Sequence, residues 1–73
     1  MMNYFSKNLE CLRKQKKLTQ LDLAKKLNKD YTTIGKWEKG ERTPKLNDVI
    51  KIAEYFNLSL DNLVTKSFNK ENN

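Results

Sequence analysis

From Leu9 to Val64 the apolar residues recur three and four positions apart, and no stretch alternates apolar and polar residues as a half-buried strand would. That spacing restricts the chain to helices, which start and stop signals then cut into short lengths. Ser6 is read as the N-cap of a first helix that runs to about Lys16 with Leu9 and Leu12 inward. After the turn Lys16-Lys17-Leu18, Thr19 and Asp22 have capping-box spacing, and Leu18 and Leu23 have that of a hydrophobic staple. Leu23, Ala24 and Leu27 form the buried face of this second helix, and Asn28 can take the left-handed conformation that ends it. Asp30 can cap a third helix over about Tyr31 to Lys39, stopped at Gly40, so that helices two and three are joined by a turn of about three residues. Leu46, Val49, Ile50, Ala53 and Phe56 predict a fourth helix closed by Asn57. Ser59 caps a fifth, with Leu58 and Leu63 as its staple and Leu60, Leu63 and Val64 as its apolar face. The expectation is an all-α five-helix bundle over residues 6–65, with an N-terminal arm at 1–5 and a polar tail at 66–73.

Seventy-three residues make one domain, because a chain this short buries only ~60% of the surface it exposes unfolded. With no His and a single thiol, Cys11, neither a Ser-His nor a Cys-His nucleophile can be assembled, nor a four-ligand zinc site, nor an intrachain disulfide. There is also no Gly-rich phosphate loop and no room for a sizeable pocket, so the chain is expected not to be an enzyme and to take no metal, cofactor or small-molecule ligand. The free thiol suits a reducing cytosol. No apolar run approaches the ~20 residues that span a bilayer, and the start Met-Met-Asn-Tyr-Phe lacks a basic region followed by an apolar stretch. The expected location is therefore the cytoplasm, away from the membrane.

The charge is localised. Residues 13–45 carry eleven Lys and Arg against Asp22, Asp30, Glu38 and Glu41, a net of +7, whereas residues 1–12 are neutral and residues 46–73 sum to −1. One basic segment in an otherwise balanced chain is the footprint of a polyanion partner, with nucleic acid first and an anionic membrane surface second. A Lys-rich solvated surface is the plainer reading, and 13 Lys with nine Asn also fit an AT-rich genome.

Within that segment, a helix ending at Leu27, a tight turn and a short helix carrying Tyr31, Thr32, Thr33 and Lys36 away from the buried pair Ile34 and Trp37 read as a helix-turn-helix. Here the sequence resembles the phage Cro and repressor type of helix-turn-helix regulators, the xenobiotic response element (XRE) family. The resemblance covers Leu9 to Val64. It rests on Leu12-Arg13-Lys14, Leu18-Thr19-Gln20, Leu23-Ala24-Lys25-Lys26-Leu27, the run from Ile34 to Gly40 (Ile-Gly-Lys-Trp-Glu-Lys-Gly), Pro44 with Leu46, and the run from Leu58 to Leu63 (Leu-Ser-Leu-Asp-Asn-Leu). Each piece is weak alone; their order and spacing are specific. It implies a lambda-repressor-like domain, nucleoid-associated, that binds double-stranded DNA and regulates transcription.

The third helix would enter the major groove, where each base pair shows its own pattern of donors and acceptors. Tyr31, Thr32 and Lys36 are the expected base contacts. Lys36 can donate to guanine O6 and N7, Thr32 can bond or touch a thymine methyl, and Tyr31 offers a ring and a hydroxyl. Thr19 and Gln20, in the first turn of helix two, are expected at a phosphate, because unpaired N–H groups and the dipole favour an anion there. Thr33 is expected at a phosphate as well, and the resemblance adds Lys39, Arg42 and Thr43 as a clamp on the next phosphates. By resemblance too, Arg13 and Glu38 form an ion pair tying helix one to helix three. Trp37 is read as core, with an indole-phosphate contact as its alternative. Gly35 either lets helix three approach the groove closely or fills a crowded packing site. Leu21 is either a packing contact or apolar surface beside the DNA-facing helices.

Relatives of this type bind as two-fold dimers to near-palindromic operators, so the resemblance implies a homodimer. Leu60, Leu63, Val64 and Phe68 are its candidate interface, unless they simply complete the core. A repressor is the leading expectation, with a restriction-modification controller or an antitoxin as variants of it. The alternative class is an antitoxin or protein-interaction module acting mainly through a protein partner. A nonspecific RNA or membrane-surface binder would use residues 13–39 without base readout.

Overall fold

The computed structural model describes residues 4–67, which form five helices and, among the described residues, no strand. These are α1 (Phe5–Gln15), α2 (Gln20–Leu27), α3 (Tyr31–Lys39), α4 (Leu46–Tyr55) and α5 (Leu60–Thr65). Four of the helices end on a residue with positive φ: Lys17 at 59°, Asn28 at 59°, Gly40 at 75° and Asn57 at 58°. Each lets the following N–H reach back five residues: Leu18 to Arg13, Lys29 to Ala24, Glu41 to Lys36 and Leu58 to Ala53, at 2.8–3.1 Å. The repeated Schellman geometry satisfies carbonyls that a helix end leaves unpaired, and keeps every connection short.

The core draws on all five helices. Leu9 and Leu12 from α1 share one cluster with Leu23, Ala24 and Leu27 from α2, Ile34 and Trp37 from α3, Val49, Ile52 and Ala53 from α4, and Leu63 from α5. α1 packs on α3 and α5, α2 chiefly on α3, and α4 on α5.

Three expectations need correction. Phe5, assigned to a free arm, is the first residue of α1 and 2% exposed, its ring edge-to-face with Trp37 at 6.5 Å. Burying that ring draws the start of α1 back by two residues, so Tyr4 rather than Ser6 is the N-cap position, and no side chain caps it. In α4 the inward stripe is Val49, Ile52 and Ala53, continued by the half-buried Phe56. Ile52, which the apolar spacing passed over, is fully buried, whereas Leu46 is 66% exposed at the end of the helix, and Ile50, one residue off the stripe, is half-buried. In α5, Leu63 is fully buried in the monomer and so is spent within the core. Of its companions in the expected interface, Leu60 is exposed and Val64 half-buried, while Phe68 lies outside the described residues, as does most of the expected tail.

One buried polar residue joins the start of α1 to the end of α5. Asn8, 1% exposed, donates from Nδ2 to the carbonyls of Leu63 and Lys66 at 2.7 and 2.5 Å, and the Tyr4 N–H donates to Val64 O at 3.2 Å. The carbonyls that the last turn of α5 leaves open at Leu63 and Val64 are thus satisfied from the first turn of α1 and the residue before it.

Candidate nucleic-acid interface

α2 is started by its own first turn. Thr19 Oγ1 accepts from the Asp22 N–H at 3.0 Å, and the Thr19 N–H donates to Asp22 Oδ2 at 2.9 Å, the complete reciprocal box. The Thr19 backbone N–H and then its hydroxyl hold the Asp22 carboxyl below the usual carboxylate range. Asn28 turns the chain, and Asp30 occupies the N-cap position of α3 with extended backbone. Its carbonyl accepts from Thr33 and Ile34, but its carboxylate makes no cap bond. Lys29 in this turn pairs with Asp48 of α4 at 3.0 Å, which ties the turn to the layer behind it.

Ile34 and Trp37, at 0% and 2% exposed, anchor the inner face of α3. The burial of Trp37 fits its reading as core. At 100° per residue the opposite face carries Thr32, Gly35, Lys36 and Lys39, with Tyr31 at its edge. Tyr31, at 56% exposed, Thr32, Lys36 and Lys39 all stand in solvent, and Thr33 is half-buried on the flank. Arg42 and Thr43 are exposed in the loop that follows, and Thr19 and Leu21 at the start of α2. Leu21, 50% exposed, is apolar surface beside the helix pair rather than a packing contact. All of the residues expected at bases or phosphates lie on α3, the first turn of α2 or the α3–α4 loop, outside the buried core.

Arg13 and Glu38 are brought together across α1 and α3. Arg13 Nε donates to Glu38 Oε2 at 2.6 Å and Nη2 to Oε1 at 3.1 Å, while Nη1 reaches Leu18 O at 2.7 Å. The two side chains are 10% and 4% exposed. The hydrogen bond to Glu38 is the main reason the Arg13 guanidinium is held above its ordinary value. A third member of this network was missed by sequence reasoning: Gln20 Nε2 also donates to Glu38 Oε1, at 3.0 Å. Its amide lies over Gly35, where a Cβ would stand 3.4 Å from Gln20 Oε1. The signal in the sequence was Gly35 itself, for which no turn gave a reason.

Among the described residues no group of His, Cys, Asp and Glu could hold a metal ion, and no helix is long and apolar enough to cross a membrane. A short turn between two helices, with the second anchored inside and polar and basic outside, defines a helix-turn-helix. The chain belongs to the helix-turn-helix family, whose sequence pattern matches residues 11–63, and to its XRE type, a family of transcriptional regulators and not of enzymes. It is 39% identical over 67 residues to the uncharacterized HTH-type transcriptional regulator YqaE of Bacillus subtilis (strain 168), covering 92% of this chain and 58% of that protein. To the HTH-type transcriptional activator BcrR of Enterococcus faecalis it is 36% identical over 61 residues, covering 84% of this chain and 30% of that protein. The chain thus spans 58% and 30% of the lengths of these relatives. The solution structure of the SOS-response transcriptional repressor LexA from Eubacterium rectale superimposes with a TM-score of 0.80 at 33% identity, covering 89% of this chain and 70% of that one.

Proposed function

We propose that this chain is a sequence-specific double-stranded DNA-binding transcriptional regulator, acting on the nucleoid in the cytoplasm, that reads the major groove with α3. The observation that carries this reading is the outer face of α3. Tyr31, Thr32 and Lys36 are exposed on a helix whose other side is fixed by Ile34 and Trp37, inside the segment that holds a net charge of +7. Rigid backing matters, because base-edge hydrogen bonds discriminate only when the donors are held in register. Thr19, Gln20, Thr33, Lys39, Arg42 and Thr43 flank this face and take the phosphates that set its orientation.

One domain offers one short reading helix, enough for half of a site. Two copies related by a two-fold axis would read a near-palindrome with half-sites about one helical turn apart, ~10 bp. Leu60 and Val64 supply apolar surface for that contact on the part of the chain that carries little net charge. Repression by covering a promoter needs nothing more than occupancy of the site.

Selection from random duplex DNA at ~150 mM salt, a condition under which nonspecific phosphate contacts are weak, tests the proposal. A near-palindrome should emerge, and the combined Tyr31→Ala, Lys36→Ala variant should lose the preference for it. A flat pool with steeply salt-dependent binding refutes specific readout, and a chain that binds no duplex but captures a protein through α4–α5 refutes DNA binding altogether.

A further inference from the structure

Gln20 takes a phosphate in the reading above, yet its amide is not free to turn. Glu38 Oε1 accepts from Gln20 Nε2 at 3.0 Å and from Arg13 Nη2 at 3.1 Å. An ionised carboxylate only accepts, so the amide can sit here in one way, nitrogen toward Glu38 and carbonyl oxygen away. With one N–H engaged, the same nitrogen keeps a second, a donor suited to a phosphate oxygen.

The amide needs room to lie across α3, and Gly35 provides it. A Cβ at that position would be 3.4, 3.7 and 3.8 Å from Gln20 Oε1, Nε2 and Cδ. A lone methyl group would make ordinary contact there, but the branches of a valine reach ~1.5 Å further and need the space the amide occupies. The backbone does not call for glycine, because Gly40 and not Gly35 is the glycine with positive φ. Glycine in a helix interior weakens the helix relative to alanine, so its presence has to be explained by what lies against it.

We propose that Glu38 and Gly35 are positioning residues for DNA binding. Glu38, fixed by Arg13, orients the Gln20 amide, and Gly35 leaves the seat on which it rests, so Gln20 is arranged for the phosphate before DNA arrives. This rests on the DNA-binding reading above. A side chain ordered in advance loses less rotamer freedom on binding, an advantage of roughly 3- to 10-fold in affinity.

The test is a cycle on the full chain: wild type, Gly35→Val, Gln20→Ala and the double variant, each titrated with a selected duplex and each unfolded in urea. Gly35→Val should weaken DNA binding roughly 3- to 10-fold while leaving the urea midpoint nearly unmoved, since valine is no worse a helix former than glycine. In the Gln20→Ala background the same substitution should change affinity less than about 2-fold. An equal loss in both backgrounds overturns the proposal and gives Gly35 to close approach of α3 to the groove. The Gln20 side-chain amide resonances of free wild-type protein provide a reading that needs no variant to fold. They should be displaced from those of a solvated amide; solvated values overturn the proposal even if DNA binds well. A wild-type chain that binds no duplex removes the DNA reading and this proposal with it, while displaced amide resonances would show that the contact itself exists.

Discussion

Replacing Glu38 with alanine should destabilise the domain far more than the loss of a surface ion pair would. The substitution takes away the acceptor of Arg13 Nε and Nη2 and of Gln20 Nε2, and leaves the guanidinium with Leu18 O as a hydrogen-bond acceptor and Glu10 as a more distant counter-charge. Exposure decides the regime. An exposed pair contributes ~0–1 kcal/mol, but these side chains are 10% and 4% exposed, where an orphaned charge costs about 3–5 kcal/mol. A 73-residue domain has roughly 4–11 kcal/mol in total, so a large share of its stability is at stake. At about 4–8 °C per kcal/mol for a domain of this size, Tm should fall by roughly 12–40 °C. Thermal and urea unfolding followed by circular dichroism would read both quantities. The paired replacement Arg13→Met with Glu38→Leu removes the charge along with its partner, and should recover most of the loss. A Glu38→Ala cost under about 1 kcal/mol, or a paired variant as unstable as the single one, would refute the argument from buried charge.

Asn8→Ala should cost about 1–3 kcal/mol in urea unfolding, because the carbonyls of Leu63 and Lys66 lose their donor inside the protein, whereas Ser6→Ala should change little. The Asp22 carboxyl is held down by the Thr19 N–H and hydroxyl, so its contribution is present above the pKa of the unfolded chain and lost as pH falls through the lower folded value. Asp22→Asn should therefore flatten the acid limb of a Tm–pH curve, and Thr19→Ala should cost about 0.5–2 kcal/mol at neutral pH. Arg42→Ala should weaken all duplexes alike and lower the slope of log K against log salt by about one unit. Lys36→Ala should instead cost about 1–3 kcal/mol on the selected site alone, with urea stability changed by no more than about 0.5 kcal/mol.

What the sequence made legible follows from how far each signal reaches. Caps and stops act over three to five residues, and those at Thr19, Asn28, Gly40, Asn57 and Ser59 are all found where the chain implied them. Where a helix boundary is decided by distant packing, the local signal fails. Ser6 has the chemistry of a cap, but the burial of Phe5 against Trp37 outweighs it. The same limit explains Ile52 and Leu46, since one apolar periodicity can place the stripe on either of two neighbouring lines until α5 fixes which one is covered. Asn8 and the bond from Gln20 to Glu38 were invisible because each joins residues far apart in the chain, and nothing in the type or spacing of those residues announces the pairing. The outer face of α3 was readable for the opposite reason: Ile34 and Trp37 fix the inner side, and 100° per residue then assigns the rest.

The central claim is that the face built from α3 and the first turn of α2 meets DNA. Titrating the isotopically labelled chain with a selected duplex and following amide shifts tests it residue by residue. The account predicts the largest changes at Gln20, Leu21, Tyr31, Thr32, Lys36 and Arg42, with Ile52 and Ala53 in the core of α4 nearly still. Changes centred on α4 and α5, or spread evenly over every exposed lysine, would contradict it.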